Sequence, residues 1–129
     1  MIEYQDLIGI PFKDGGRDTH GMDCWGLVKT LLERQGYRHI PDYCISAFET
    51  IAIQNELEQK RHIWRKLAFP VSGCVILLAN GCTPLANHVG IVVDKRRFIH
   101  SYIRAGVCLS LLSRWKSHII GYYLPPEVL

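Results

Sequence analysis

The chain has 129 residues, of which 48% are hydrophobic and 21% charged, and this composition is typical of a single globular domain, here 1–129. A chain of this length buries about two-thirds of its extended surface and can fold without a metal or a disulfide. The formal net charge of +3 is too small to indicate nucleic-acid binding. The longest apolar run, 75–79, is far below the roughly 20 residues that a membrane-spanning helix needs. The acidic start of the chain does not resemble an export signal, so we expect a protein made in the cytoplasm.

The cysteine count is odd, which leaves at least one thiol free. A chain without an export signal stays in a reducing compartment, so we expect no disulfides. The five cysteines are Cys24, Cys44, Cys74, Cys82 and Cys108. The functional question is whether one of them is a nucleophile.

The first predicted helix follows a glycine-rich loop over 9–23, where the backbone must turn tightly. Asp23 stands where an N-cap belongs and Gly36 where a helix commonly ends, which predicts a helix over 24–35. Apolar side chains recur with helical spacing at Cys24, Leu27, Val28, Leu31 and Leu32. A connection over 37–47 and a second helix over about 48–60 are predicted to follow.

The second half of the chain changes character to short segments rich in β-branched and aromatic residues. Turn residues separate these segments, which predicts five strands in an antiparallel meander. The predicted strands are 71–79, 88–94, 98–103, 107–112 and 119–124. Helices followed by strands indicate the α+β class, with a helical layer packed on a sheet.

Cys24 is the first candidate for chemistry because it begins a helix. Unpaired N–H groups and the positive end of the helix dipole stabilise a thiolate at that position. Cys24 also begins the apolar stripe, so a purely structural core cysteine is the competing interpretation.

Two histidines, His88 and His100, lie twelve residues apart on neighbouring predicted strands. If the hairpin turn centres on Asp94, they face each other on one side of the sheet. If it centres on Lys95 and Arg96, His100 lies near Ile91, about three residues or roughly 10 Å from His88. A thiol facing a matched pair would supply the nucleophile, the base and the group that orients the base.

Several sequence blocks resemble the NlpC-type cysteine peptidases, cell-wall hydrolases of the papain-like superfamily. Asp23-Cys24-Trp25-Gly26-Leu27-Val28 is similar to the family's D-C-x-G-L/F-V signature. The segments 87–92 and 98–101 resemble its H-V-G-I strand and the block that carries a second histidine. Ile120-Gly121-Tyr122-Tyr123 resembles its closing strand. The blocks occur in the family's order and span nearly the whole chain.

The resemblance implies a papain-like α+β fold and hydrolysis of an amide in the peptide stem of bacterial peptidoglycan, typically between γ-D-glutamate and a diamino acid. It implies Cys24 as the nucleophile, His88 as the base and His100 as the orienter of His88. The Cys24 N–H would be one oxyanion donor. Asp23 could bind a free amine of the stem peptide, serve as an N-cap, or both. As an anion beside Cys24 it would oppose thiolate formation, so an imidazolium at His88 must offset it. No metal and no organic cofactor is implied.

Two positions depart from the family pattern and concern the substrate. Phe12 stands where many relatives have a tyrosine aimed at the site, so its hydroxyl is missing. Trp25 stands where many have serine, and its indole would narrow the cleft. The D-C-W-G variant resembles the phage tail-assembly branch of the family. The partners would then be the stem peptide and other phage tail proteins, with the enzyme carried to the cell wall on a tail.

Three alternatives remain open at this point. The cysteines and histidines of the C-terminal half could bind zinc, although no pair has Cys-x-x-Cys spacing. The domain could be an inactive structural component of a tail. The same Cys–His chemistry could also serve an amidase or acyltransferase with another acyl group. Trp64 and Trp115 are expected in the core or the cleft wall, and His20 in the loop is expected to be exposed.

Overall fold

A computed structural model describes residues 2–38, 40, 64–81 and 87–125. In chain order the elements are a 3-10 helix (Gln5–Leu7), β1 (Arg17–Asp18), β2 (Gly21–Met22), α1 (Cys24–Arg34), β3 (Arg65–Leu67), β4 (Val75–Leu78), β5 (His88–Val92), β6 (Arg97–Tyr102), β7 (Gly106–Leu111), a second 3-10 helix (Leu112–His118) and β8 (Ile119–Leu124). The predicted helix over 48–60 lies outside the described residues, as do Cys44 and Cys82. No helix in the described segments is both long and apolar enough to cross a membrane.

Helix α1 forms as its sequence pattern predicts. The Asp23 side chain accepts a hydrogen bond from the Gly26 N–H, which satisfies one of the free donors at the helix start. Gly36 adopts a φ of 94° just beyond the end, a conformation that favours glycine. The apolar stripe is completely buried, with no exposed surface on Leu27, Val28, Leu31 and Leu32. The predicted helix is therefore confirmed to within one residue at its end.

The main sheet has six strands in the order β3-β8-β4-β5-β6-β7, and every pair is antiparallel. The five predicted strands are all present, and the α+β class is confirmed. The simple meander is wrong in one respect, because β8 pairs with β4 and not with β7. The second 3-10 helix connects β7, at one edge of the sheet, to β8, which lies between β3 and β4.

The sequence pattern does not predict strand β3 or the two-residue strands β1 and β2. Strand β3 has the sequence Arg65-Lys66-Leu67 and mostly exposed side chains, so it offers no apolar alternation for a pattern to detect. Because β3 pairs with β8, β8 lies inside the sheet between β3 and β4, and sequence periodicity alone does not predict this strand order.

The sheet separates two hydrophobic clusters. The larger cluster joins α1 to one face of the sheet, through odd-numbered strand residues that include Val75, Leu77, Val89, Ile91 and Ile99. The smaller cluster covers the opposite face with the second 3-10 helix, and we call this the outer face; it includes Ile76, Leu78, Val92, Phe98 and the partly buried Trp115. Because side chains alternate along a strand, even-numbered residues of β5 and β6 belong to the outer face.

Gly90, in β5, lies very close to the backbone of β6. A Cβ at this position would lie 2.7 Å from the carbonyl oxygen of Ile99 and 3.2 Å from the Cβ of His100. At Gly121, in β8, the nearest atoms would be side-chain atoms of Tyr123 and Lys66, at 3.2 and 3.6 Å. A side chain at 90 must therefore displace backbone, whereas one at 121 displaces only side chains.

We predict that Gly90→Ala lowers the free energy of unfolding by about 1–3 kcal/mol, the usual cost of overpacking a tight site. Gly121→Ala, the matched control in another strand of the same sheet, should cost less. Urea unfolding of both variants at pH 7.5 checks this, and equal losses would contradict the close approach at Gly90.

Candidate active site

The Cys24 thiol lies at the first residue of α1 and is only 3% exposed. Backbone N–H groups near Sγ, first that of Val89 and then those of Trp25 and Cys24 itself, favour the thiolate form. Val89 directly follows His88 in β5, so the thiol lies against the beginning of that strand. The start of α1 and the start of β5 together form the candidate site.

The Asp23 carboxylate is buried, with 1% exposure, and is occupied by contacts within the chain. Oδ1 accepts from the Gly26 N–H at 2.7 Å and from Arg17 Nη1 at 2.5 Å. Oδ2 accepts from the Gly15 N–H at 3.2 Å. The N-cap role is therefore observed, and an amine of a substrate could reach Asp23 only if Arg17 moved away.

The resting thiol is protonated. Burial, and then the negative charge of Asp23, raise the pKa of Cys24 to about 12, and the three backbone N–H groups oppose this only in part. The opposing effect of Asp23 on the thiolate was predicted from the sequence. The imidazolium expected to offset it is absent in the resting state, because the His88 ring is neutral at neutral pH.

The register of β5 against β6 differs from both alternatives considered from the sequence. Ile91 pairs with Ile99 and Val92 with Phe98, so the hairpin centres on Lys95. This register aligns His100 with Gly90, two residues along β5 from His88. Side chains two residues apart on a strand point to the same face of the sheet, so His88 and His100 both lie on the outer face, as diagonal neighbours.

The two imidazoles are in direct contact. His88 Nε2 lies 2.7 Å from His100 Nδ1, and the ring centroids are 5.0 Å apart. The rings are almost completely buried, with 4% exposure for His88 and none for His100. Burial lowers the pKa of His88 to about 3, with a further contribution from the neighbouring His100, and burial lowers the pKa of His100 to about 4. Both rings are therefore neutral at pH 7.

The hydrogen bond to His100 decides which nitrogen of His88 can act on the thiol. Nε2 is engaged with His100, so Nδ1 is the nitrogen that could accept the thiol proton, in the tautomer in which it carries no proton itself. The hydrogen bonds of the described residues include none between Cys24 Sγ and either imidazole. The structure thus brings His88 and His100 together and brings the thiol to the strand that begins with His88.

Two residues next to the histidines were not assigned a role from the sequence. Ser110 Oγ, on β7, lies 2.8 Å from His100 Nε2. Trp115, expected only in the core or cleft wall, covers both rings, with centroids 6.4 Å from His88 and 5.2 Å from His100. The even numbering of 88, 100 and 110 on adjacent strands was a signal for Ser110, but it is usable only once the register is known.

The residues expected to contact substrate lie near Cys24 with different degrees of burial. Trp25 is 6% exposed and packs edge-to-face on Trp64, with centroids 6.3 Å apart, so most of its indole belongs to the core. Phe12 is half-buried and forms an isolated bridge with Met22, just before the N-cap. His20 is exposed in the β1–β2 turn, as expected.

Within the described residues, no three His, Cys, Asp or Glu side chains are grouped so that they could hold a metal ion. Cys74 is fully buried beside β4, and Cys108 is half-buried in β7. Cys74 thus belongs to the outer-face core, in agreement with the structural interpretation of that thiol.

Comparison with known proteins places this geometry in a family context. The model of the NlpC/P60 family matches residues 9–123. The chain is 27% identical over 118 residues to the murein DD-endopeptidase MepS/murein LD-carboxypeptidase of Escherichia coli K12, covering 90% of this chain and 56% of that protein. It is 29% identical over 112 residues to a probable endopeptidase of Haemophilus influenzae, covering 86% and 62%. The chain therefore spans little more than half the length of these curated relatives.

Solved structures show the same fold. A Staphylococcus aureus protein described as similar to a lipoprotein of the NLP/P60 family superposes with a TM-score of 0.68 at 20% identity, covering 95% of this chain and 39% of that one. The NlpC/p60 domain of the peptidoglycan hydrolase SagA gives a TM-score of 0.62 at 18% identity, covering 92% and 89%. The papain-like α+β architecture expected from the sequence is thus confirmed.

We predict that Cys24 in the free protein reacts slowly with iodoacetamide at pH 8, because its thiol is buried and its pKa is raised. Asp23→Asn should speed the reaction at a given pH, because it removes the charge that opposes the thiolate and keeps a side chain able to cap α1. Mass spectrometry of the labelled peptides measures both rates, and Asp18→Asn, at an exposed position, is the control. A Cys24 rate that matches a free thiol, or that is unchanged in Asp23→Asn, would contradict this electrostatic account.

We predict that the protein loses stability between pH 7 and pH 5 because of the two buried histidines. In this range the unfolded chain binds protons at His88 and His100, whose pKa values of about 3 and 4 keep the folded rings neutral. The free energy of unfolding should therefore fall with falling pH by about 2 kcal/mol for each histidine.

Urea unfolding at the two pH values measures this slope. The double variant His88→Gln with His100→Gln should flatten it, whereas His20→Gln, at an exposed site, should keep it. A slope that is the same in all three proteins would show that other groups cause the pH dependence.

Proposed function

The chain belongs to the NlpC/P60 family, and from this we propose that it is a cysteine peptidase that hydrolyses an amide bond in the peptide stem of bacterial peptidoglycan. The observations that carry the proposal are the buried hydrogen bond between His88, in β5, and His100, in β6, and the position of the Cys24 thiol near the backbone N–H of Val89, the residue after His88. The two similar curated proteins are named as endopeptidases, which supports this class of reaction.

The proposed reaction begins with transfer of the Cys24 proton to His88 Nδ1. Sγ attacks the carbonyl carbon of the scissile amide, and the negative charge moves to the carbonyl oxygen. The Cys24 N–H, at the positive end of α1, donates to this oxyanion. When the intermediate collapses, the C–N bond breaks, and the leaving amine takes the proton from His88.

The second half of the reaction releases the acyl group from Cys24. Water gives a proton to His88 Nδ1 and adds to the thioester carbonyl. Collapse of the second tetrahedral intermediate frees the carboxylic acid and returns the proton to Sγ. His100 keeps the His88 ring oriented in both halves through its hydrogen bond to Nε2.

The neutral resting pair sets a condition on this mechanism. The thiolate–imidazolium form is disfavoured in the free protein, where the pKa of Cys24 is about 12 and that of His88 about 3. In the proposed mechanism, substrate binding brings Sγ and His88 Nδ1 into hydrogen-bond distance, and the proton moves as the carbonyl is attacked. The chemistry is then general-base catalysis and not reaction of a preformed thiolate.

The finer features of the proposal rest on sequence resemblance. The signature around Cys24 supports the bond between γ-D-glutamate and a diamino acid as the site of cleavage. The D-C-W-G variant supports a role with phage tail proteins, in which the enzyme is made in the bacterial cytoplasm and carried to the wall on a tail. Detection of the chain by mass spectrometry in purified tail particles would support that location, and its absence from them would contradict it.

A catalytically inactive structural module is the second candidate. Phenylalanine at position 12, where many relatives have a tyrosine, favours it. Such a module would keep the fold and have no hydrolase activity. A measurement of hydrolase activity therefore distinguishes the two candidates.

We predict that the purified chain releases stem-peptide fragments from muropeptides. Cys24→Ala should abolish the release, and His88→Gln should lower kcat by about 100-fold or more because the general base is lost. His20→Gln, at the exposed turn, is the matched histidine control and should keep full activity. Chromatography with mass spectrometry identifies the products and the bond that is cut.

Two outcomes would contradict the proposal. Full activity in Cys24→Ala would exclude the thiol mechanism. Inactivity of the unaltered chain on muropeptides of several stem compositions would favour the structural module.

A further inference from the structure

The hydrogen bond between His88 and His100 continues to a third residue, Ser110 in β7. Ser110 Oγ lies 2.8 Å from His100 Nε2, and His100 Nδ1 lies 2.7 Å from His88 Nε2. Phe98 pairs with Ser110 and His100 with Cys108 across β6 and β7, so Ser110 is a diagonal neighbour of His100. The His88–His100 and His100–Ser110 contacts are thus both diagonal pairs on one sheet face.

The direction of these hydrogen bonds decides whether His88 can be a base. In one arrangement, His88 Nε2–H donates to His100 Nδ1 and His100 Nε2–H donates to Ser110 Oγ, which leaves His88 Nδ1 with its lone pair. In the reverse arrangement, the serine hydroxyl donates to His100, and His100 Nδ1–H donates to His88 Nε2. His88 Nδ1 then carries the proton and cannot accept one from a thiol.

Cys108 provides an acceptor that favours the first arrangement. Cys108 and Ser110 lie on the same face of β7. Burial raises the pKa of the Cys108 thiol, and the Ser110 hydroxyl, as a donor to Sγ, opposes this in part. A hydroxyl has one proton to donate and two lone pairs to accept with. When the Ser110 proton is directed to Cys108 Sγ, the oxygen presents only lone pairs to His100 Nε2.

We propose that Ser110 is a positioning residue that, with its hydroxyl held by Cys108, selects the tautomer in which His88 Nδ1 is free to act as the base. The inference rests on the proposed function for its effect on catalysis, whereas the tautomer itself can be measured without a substrate.

The surroundings make the tautomer a decisive property of this site. Both imidazoles are neutral at pH 7, so each carries one ring proton whose position must be set by a neighbour. Trp115 and Tyr102 pack around the pair, with ring centroids 5.2 and 5.7 Å from that of His100. In such an environment an unmade hydrogen bond is costly.

Nuclear magnetic resonance of the 15N-histidine-labelled protein tests the tautomer directly, because long-range proton–nitrogen correlations distinguish protonated from unprotonated ring nitrogens. At pH 7.5 we expect His88 and His100 both to be protonated on Nε2. Ser110→Ala should shift both rings towards protonation on Nδ1. Ser110→Thr keeps the hydroxyl and should keep the spectrum, and Cys108→Val should shift it in the same direction as Ser110→Ala. Ser113→Ala, at an exposed serine, should leave both rings unchanged.

Kinetics on muropeptides supply the second measurement. Ser110→Ala should lower kcat by about tenfold or more with KM unchanged, because Ser110 acts through His100 and not on substrate. Ser110→Thr should restore most of kcat. An unaltered spectrum in Ser110→Ala would overturn the inference and leave the proposed function intact. Protonation of His88 on Nδ1 in the original protein would overturn the inference and also His88 as the base of the proposed mechanism. Inactivity of the original protein with the expected spectra would overturn the proposed function and leave the Ser110 assignment intact.

Discussion

The buried carboxylate of Asp23 is the contact on which the geometry of the nucleophile depends. It caps α1 through Gly26, accepts from the Gly15 N–H in the glycine-rich loop, and pairs with Arg17. These contacts fix the first turn of the helix and therefore the position of the Cys24 thiol. Burial raises the pKa of that thiol, and the negative charge of Asp23, the residue before Cys24, raises it further. The group that builds the site is thus also one reason that the site rests in its unreactive form.

A thiol in this position has to satisfy two requirements that conflict. Cys24 begins the apolar stripe of α1 and belongs to the core cluster, so it contributes to packing. Catalysis requires its proton to leave, and burial penalises the charge that results. Backbone N–H groups of Val89, Trp25 and Cys24 reduce this penalty, and a neutral His88 can accept the proton only as the reaction proceeds. Both candidate functions are consistent with a protonated resting thiol, which is why activity and not resting reactivity separates them.

Much of the fold could be predicted from the sequence, and the failures have physical causes. Helix α1 was predictable because its cap, apolar stripe and terminal glycine all indicate the same boundaries. The five longer strands were predictable from β-branched segments between turns. The pairing of β8 with β4 was not, because it depends on a 3-10 helix whose apolar side chains pack over the sheet only in three dimensions. The register of the two histidines required the turn centre to be known within one residue, and the sequence around Asp94, Lys95 and Arg96 allows more than one turn. Ser110 was missed for the same reason, since a lone serine on a strand carries no signal until its diagonal partner is known.

The sheet register is what connects the fold to the chemistry. Odd-numbered residues of β5, Val89 and Ile91, pack in the cluster that contains α1, while His88 and His100 pack on the outer face. Gly90 has no side chain, so β6 can approach β5 closely enough for His88 and His100 to form their hydrogen bond. A slip of β6 by one residue would move His100 to the α1 side of the sheet and break its contacts with both His88 and Ser110. The hydrophobic pattern of β6 opposes such a slip, because it would also move Ile99 out of the core cluster. The packing that stabilises the fold therefore also holds the two imidazoles and the serine in line.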